Sequence, residues 1–269
     1  MGTFQYFGGV DFSGAKEPLS NLWSALAREE AGKLRIVALR PHAFRADLRS
    51  YVADGWRTGA GASQDDLILW GLDFPFSLPR EAARHLCGNG VSWQTLAAWT
   101  ADRPPDEVRE AVPEPLRTPR LTDTGGAMDP LNLRLYRQTI EGIRWLHELR
   151  ELIDTAVCPQ LPSPDAPTTL IEVYPSATVR DLGVRCRRTP GRPGEQRARV
   201  AALHTWLSFA DPSMEAAAVV LEDAWDAVIA CLSAWLARDD LDQPSRVGSH
   251  PRDAINLEGW IYRPPAAIS

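Results

Sequence analysis

Short apolar runs separated by polar turns fill the first 75 residues, a pattern typical of strands. Residues 43–56 instead carry large apolar side chains at helical spacing, and residues 67–74 form a further apolar run closed by Pro75. The three strands predicted before the helix span residues 6–12, 22–27 and 33–39. We therefore expect the order β-β-β-α-β, beginning with an antiparallel meander.

The rest of the chain is predicted to be mainly helical. Residues 78–157 have helical patterning except at 102–130, where six prolines interrupt it. The later predicted elements are a helix over 131–157, a strand over 168–174, helices over 195–209 and 221–236, and an edge strand over 257–262. This order predicts one α/β domain over residues 1–269 with a mostly helical, Pro-interrupted insertion at 78–167.

Composition and charge exclude several classes of protein. With 269 residues, 44% hydrophobic content and a net charge of −6, the chain is long enough for a sizeable core and is not coated in positive potential. We expect a cytoplasmic protein without a membrane segment, since no apolar run approaches about 18 residues and no leader pattern is visible. The four cysteines and five histidines show neither zinc nor nucleophile motifs.

One segment departs from the acidic average. Between positions 180 and 199 there are seven arginines and two acidic residues, a local net charge of +5. The segment is either a solvated loop and helix face or a patch that meets a phosphate-bearing substrate. On the second interpretation, the candidate substrate-binding residues are Arg185, Arg187, Arg188 and Arg192.

Acidic residues interrupt apolar strand ends at two places. Asp11 ends the first predicted strand and Asp73 the fourth, and a buried carboxylate there needs a hydrogen-bonded turn, a partner or a metal. If the two strands lie side by side and parallel, both carboxylates emerge at the carboxyl edge of the sheet, where α/β proteins bind ligands. Capping of a following turn is the alternative for either residue alone.

Three more acidic residues are candidates for the same site. Asp223 and Asp226 share one face of the predicted helix at 221–236, although capping of the first turn also explains Asp223. Glu172 lies within a predicted strand and is either a further ligand or the partner of a buried arginine.

These blocks carry a resemblance. The stretches 9–15, 71–75, 171–176, 222–227 and 258–262 resemble, in order, the domain of unknown function 429 family, which is described as predicted nucleases with a ribonuclease-H-like fold. The resemblance implies a mixed five-stranded sheet in β-β-β-α-β-α-β-α order. It implies Asp11, Asp73, Glu172 and Asp226 as catalytic residues, and Asp11, Asp73, Asp223 and Asp226 as metal ligands. The first helix offers Asp47 and Asp54 but no glutamate, which favours a site of the resolvase and transposase kind.

Clustered carboxylates repel one another until a hard cation such as Mg²⁺ or Mn²⁺ neutralises them. Two such ions about 4 Å apart can activate water and stabilise the leaving oxygen of a phosphodiester. The sequence thus predicts a metal-dependent phosphodiester hydrolase, a nuclease acting on nucleic acid or a smaller substrate. Two alternatives stay open: an ATP-binding phosphotransferase of the actin and sugar-kinase type, since residues 11–16 loosely fit a phosphate loop, and a non-catalytic binding protein.

Overall fold

The computed structural model describes residues 3–15, 21–184, 193–242 and 250–264. Within these ranges the protein is a mixed α/β structure around one sheet of eight strands. The strands are β1 (Tyr6–Asp11), β2 (Trp23–Glu30), β3 (Lys33–Pro41), β4 (Ile68–Asp73), β5 (Thr155–Cys158), β6 (Thr168–Val173), β7 (Leu207–Phe209) and β8 (Ile261–Tyr262).

The strands lie in the order β5-β6-β4-β1-β2-β3-β7, and β8 also pairs with β6. The predicted meander is confirmed, because β2 is antiparallel to both β1 and β3. The other pairs, including β1 with β4 and β4 with β6, are parallel. The expected count of five strands is wrong, because the sheet also contains three short strands. These are β5, β7 and β8, of four, three and two residues respectively. Segments as short as β5 and β7 carry too little alternation to be predicted from the sequence.

The helices of the described ranges are α1 (Arg45–Ser50), α2 (Trp56–Ala60), α3 (Arg80–Cys87), α4 (Trp93–Ala101), α5 (Pro105–Ala111), α6 (Tyr136–Arg150), α7 (Pro175–Asp181), α8 (Pro193–Ala202), α9 (Pro212–Val220), α10 (Glu222–Ala237) and α11 (Arg252–Glu258). One turn of π-helix, Tyr51–Gly55, joins α1 to α2. The predicted helix over 43–56 therefore exists but is longer and irregular.

Three predicted elements are corrected. The helix expected over 131–157 is α6 alone, and the chain after it enters β5, where Thr155 and Val157 favour an extended backbone. The helix expected over 195–209 ends at Ala202 and gives way to β7. Residues 257–262, expected to be one edge strand, contain the end of α11 and β8, separated by Gly259 at a positive φ of 84°.

Helix α10 packs across β1 and β4 on one face of the sheet. Two strand glycines make this close approach possible. A Cβ atom on Gly9 would lie 2.1 Å from the Cys231 nitrogen and 2.2 Å from the Ala227 carbonyl oxygen, and one on Gly71 would lie 2.4 Å from the Ala230 oxygen. The backbone of α10 therefore occupies space that any side chain at these positions would need.

The opposite face is covered by the α1–α2 region and by residues of the segment predicted as an insertion. The large buried side chains on this face include Trp70 from β4, Phe74 directly after β4 and Trp145 from α6. Gly142 lets α6 approach, since a Cβ there would lie 2.3 Å from the Phe74 ring. The segment also contributes β5 to the sheet itself. Among the helices of the described ranges, none is long and apolar enough to cross a membrane.

Candidate active site

Asp11 and Asp73 end neighbouring parallel strands and lie opposite each other in register. Each stands two residues after a glycine that faces α10, and alternate residues of a strand share a face. Both carboxylates therefore project on the α10 side at the carboxyl edge of the sheet. The parallel pairing of these strands, on which the expected meeting of the two carboxylates depends, is confirmed.

Helix α10 brings two further aspartates to this edge. It begins at Glu222, which places Asp223 in its first turn and Asp226 one residue before Ala227, whose carbonyl lies over Gly9. Asp223 forms a side-chain hydrogen bond with Asp11. Asp226 lies close enough for its charge to raise the pKa of both Asp11 and Asp73. Asp11, Asp73, Asp223 and Asp226, which we call the aspartate cluster, thus come together from three separate segments.

The electrostatics of the aspartate cluster are unfavourable to full ionisation. Burial raises the pKa of Asp11 well above its usual range, and the charges of Asp73, Asp226 and Asp223 raise it further. Burial likewise raises the pKa of Asp73, with added contributions from Asp226 and Glu172. In the described part of the chain, no group of three or more His, Cys, Asp or Glu side chains is already arranged to hold a metal ion.

Glu172 has a different environment. It pairs in register with Leu72, so its side chain lies on the opposite face of the sheet from Asp73. Both of its oxygens accept hydrogen bonds from the Arg120 guanidinium, with Arg120 Nη1 2.8 Å from Oε2, and Oε2 also accepts from the Phe76 backbone N–H at 2.9 Å. The structure therefore supports the second interpretation of Glu172, the partner of a buried arginine.

Arg120 is the centre of a buried network that the sequence did not reveal. It also contacts the Asp123 carboxylate at 2.7 Å and donates to the Glu258 carbonyl oxygen at 3.0 Å. The Glu258 carboxylate accepts from the backbone N–H groups of Arg80 and Leu121, both at 2.7 Å. Burial alone would lower the pKa of Arg120, but Glu172 and Asp123 raise it and keep the guanidinium charged.

Asp11, Asp73 and Asp223 line a pocket of about 610 Å³, which we call the acidic pocket. Arg120 and Glu172 lie in its wall, and another wall is formed by Arg134, just before α6, and by Arg137 and Gln138 in its first turn. The amide of Gln138 donates to the Asp73 carbonyl oxygen at 2.7 Å, which ties α6 to the end of β4. No motif marks these α6 residues in the sequence, because their role arises from packing of a distant segment.

The remaining candidates lie elsewhere. The predicted substrate-binding residues Arg185, Arg187, Arg188 and Arg192 fall outside the described residues. Arg199, from the same arginine-rich segment, pairs with Glu222 at 2.8 Å and stacks on the Trp225 ring.

The two aspartates of the first predicted helix have local partners. Asp47 accepts from the Phe44 backbone N–H at 3.2 Å at the start of α1, and Asp54 forms an ion pair with Arg57. Neither residue lines the acidic pocket.

Comparison with known proteins gives a family but no characterised relative. The model of the family described as protein of unknown function (DUF429) matches residues 9–252. No curated protein and no solved structure matches the chain. The matched region contains all four residues of the aspartate cluster, together with Glu172 and Arg120. The resemblance predicted from the sequence blocks is confirmed, and the chain belongs to the DUF429 family.

Proposed function

We propose that the protein is a divalent-metal-dependent phosphodiester hydrolase and that the aspartate cluster is its active site. The observation that carries this proposal is that Asp11, Asp73 and Asp223 line one pocket, with Asp226 close enough to raise the pKa of Asp11 and Asp73. None of the ion pairs of the described residues gives Asp11, Asp73 or Asp223 a basic partner. Carboxylates that are buried together without a counter-charge destabilise a fold unless a bound cation offsets their repulsion.

The donor set fits Mg²⁺ or Mn²⁺, which prefer carboxylate oxygens. A bound ion would supply activation of water and stabilisation of charge on the phosphoryl oxygens. Asp11 and Asp73 would hold it from the sheet, while Asp223 and Asp226 would hold it from α10. Because the described side chains are not arranged as a ligand set, binding would have to draw them closer together. Glu172 would position the wall of the site through Arg120.

The sheet supports a ribonuclease-H-like assignment as part of the same proposal. Its five longest strands are β1, β2, β3, β4 and β6, and they lie side by side in the order β3-β2-β1-β4-β6. Only β2 runs against the others. On this interpretation, residues 78–167 are an insertion that builds one wall of the active site, and the protein acts in the cytoplasm on nucleic acid or a related phosphodiester.

The test is metal-dependent turnover of single-stranded, double-stranded and branched nucleic acids and of a small phosphodiester, beside an ATPase assay. We expect Mn²⁺- or Mg²⁺-dependent cleavage, reduced at least about a hundredfold by Asp73→Asn or Asp226→Asn. Asp239→Asn is the matched control, because the Asp239 side chain is 89% exposed and lies outside the acidic pocket.

Each other outcome selects another function. Loss of ATP without cleavage would favour the phosphotransferase. Binding of an oligonucleotide without any turnover would favour a non-catalytic binding protein. Cleavage that survives both Asn substitutions would place the active site elsewhere.

A further inference from the structure

A second pocket adjoins the acidic pocket. It has a volume of about 560 Å³, and Gly14 and Arg137 line both cavities. Its lining includes four arginines, Arg45, Arg103, Arg137 and Arg144, and three acidic residues, Asp102, Asp106 and Glu141, and we call it the arginine pocket. The two cavities are therefore neighbours, separated by residues 12–15 after β1 and by the first turn of α6.

The boundary between the two pockets consists of backbone segments in close contact. A Cβ atom on Gly14 would lie 2.2 Å from the Gln138 nitrogen, so the loop after β1 rests directly on α6. Arg45 fixes the same loop from the other side, since it donates to the carbonyl oxygens of Ser13 at 3.2 Å and Ala15 at 2.6 Å.

The arginines of this pocket are held in place. Arg144 donates to the Ala101 carbonyl oxygen at 2.9 Å and contacts Glu141 at 3.1 Å. Arg103 lies over the Trp99 ring at 4.1 Å and keeps 34% of its side chain exposed. Arg137 contacts Asp106 at 2.6 Å through Nη2 and is 46% exposed. Because a guanidinium has five N–H donors, both exposed arginines retain donors for an anion.

The two pockets thus combine complementary features. One is lined by Asp11, Asp73 and Asp223, which would act on a phosphodiester, and the other presents the exposed guanidinium groups of Arg103 and Arg137, which suit further phosphates of the same molecule. The side chains of Met128 and Tyr174 in the acidic pocket can contact a base. Its volume lies within the range of about 300–1,000 Å³ typical of sites that enclose one small molecule.

Resting on the proposed function, we infer that the substrate is single-stranded nucleic acid whose end enters the acidic pocket while the adjoining phosphates bind the arginine pocket. A single strand is flexible enough to follow a charged groove and to place an unpaired base against apolar side chains. A duplex is stiff and keeps its bases paired, so its end cannot enter a pocket of this size without unpairing.

The test is equilibrium binding of fluorescent oligothymidylates of one, two, four and eight nucleotides, with an RNA series and a blunt hairpin duplex beside them. Binding is measured with chelator and with Ca²⁺. We expect affinity to rise from one nucleotide to four, and the single strand to bind at least about tenfold more tightly than the duplex. The DNA and RNA series distinguish the two sources of a single strand.

Arg103→Gln is the informative variant, because Arg103 lines the arginine pocket but not the acidic one. It should remove most of the gain with length and lower the slope of log Kd against log salt by about one. Arg103→Lys should retain much of that slope. Arg84→Gln is the matched control: Arg84 is 30% exposed, makes a local helical ion pair with Glu81 and lines neither pocket.

Equal affinity for one and eight nucleotides, equal affinity for the duplex, or equal effects of Arg103→Gln and Arg84→Gln would overturn the inference. Failure of the proposed function is separate. It would appear as an absence of metal-dependent cleavage and of any Ca²⁺ effect on binding, whatever the dependence on length and on Arg103.

Discussion

Asp73 and Glu172 lie on neighbouring strands at the same edge of the sheet, and burial raises the pKa of both. Their surroundings differ. Arg120 contacts both oxygens of Glu172 on one face, whereas Asp73 faces other acidic residues of the aspartate cluster on the opposite face. One carboxylate is neutralised by the fold, while the other requires a proton or a cation.

This difference separates a structural carboxylate from a candidate catalytic one. Two like charges about 4 Å apart repel by up to about 4 kcal/mol at an effective dielectric of 20, and solvent reduces that value. A fold that retains such a cluster is less stable than it would be without it, and the cluster is kept because it binds a ligand. The ion pair of Glu172 instead offsets its own desolvation and connects residues 120–123 to the sheet.

The largest expected effect is on the structural side. Arg120→Met should lower the free energy of unfolding by about 3–5 kcal/mol, because it leaves Glu172 and Asp123 buried without their counter-charge. Denaturant unfolding measures the change. Arg134→Met, at an exposed arginine of the same segment, should change stability by less than about 0.5 kcal/mol. A loss below about 1 kcal/mol for Arg120→Met would remove the distinction between the two carboxylates.

His42 provides a third case, a buried group that stays neutral. Its ring nitrogen lies 2.8 Å from the Ser24 hydroxyl, and burial, followed by the charge of Arg40, lowers the pKa of His42 to about 4. The ordinary pKa of about 6.5 applies to the unfolded chain. The stabilisation is therefore present above pH 6.5 and is lost as the pH falls towards 4, by up to about 3 kcal/mol.

His42→Gln isolates this contribution, since glutamine does not titrate. The stability of the parent should fall more steeply than that of His42→Gln between pH 6.5 and 4, as measured by urea unfolding at several pH values. Parallel profiles would show that His42 does not titrate with the folding equilibrium.

The contact of α10 with the sheet can be tested at its glycines. Gly9→Ala should cost about 1–3 kcal/mol or more and weaken any effect of metal, because its Cβ would displace the helix that carries Asp223 and Asp226. Gly59→Ala in α2 is the matched control. A Cβ there meets nothing within 4 Å, so alanine should be neutral or stabilise by up to about 1 kcal/mol. Similar melting temperatures for both variants would contradict the close packing of α10.

The smallest stability effect is expected at Asp73. Without metal, Asp73→Asn should leave stability unchanged or raise it by about 1 kcal/mol at neutral pH. The raised pKa of Asp73 means that the fold favours the protonated carboxyl. Its stabilising contribution is present below about pH 4 and is lost as the pH rises through the raised value, so the advantage of the variant should grow with pH.

Thermal melts at pH 4 and pH 8, with chelator and with Mn²⁺, measure both effects. Mn²⁺ should raise the melting temperature of the parent and of Asp239→Asn, and much less that of Asp73→Asn. If Asp73→Asn unfolds without metal and Mn²⁺ stabilises none of the chains, Asp73 is a structural partner like Glu172.

Much of the sheet was predictable because its information is local. Each of the five long strands is an apolar run bounded by turn residues or proline. A charged residue at the end of such a run needs a partner, and this makes Asp11 and Asp73 candidates from the sequence alone. The short strands β5 and β7 and the end of α6 were not predictable, because the pairing of these strands depends on segments distant in the sequence.

By itself the sequence determined the mixed α/β class, the long strands, the family and the candidate acidic residues, because periodicity and strand-end charges act within a few residues. Only the tertiary structure decided which carboxylates share a face. In sequence, Asp73 and Glu172 look alike, a charge at the end of an apolar run. The strand register places their side chains on opposite faces of the sheet. Glu172 contacts Arg120, which is 52 residues away in the sequence, whereas Asp73 faces α10. Their difference in charge environment therefore exists only once the chain has folded.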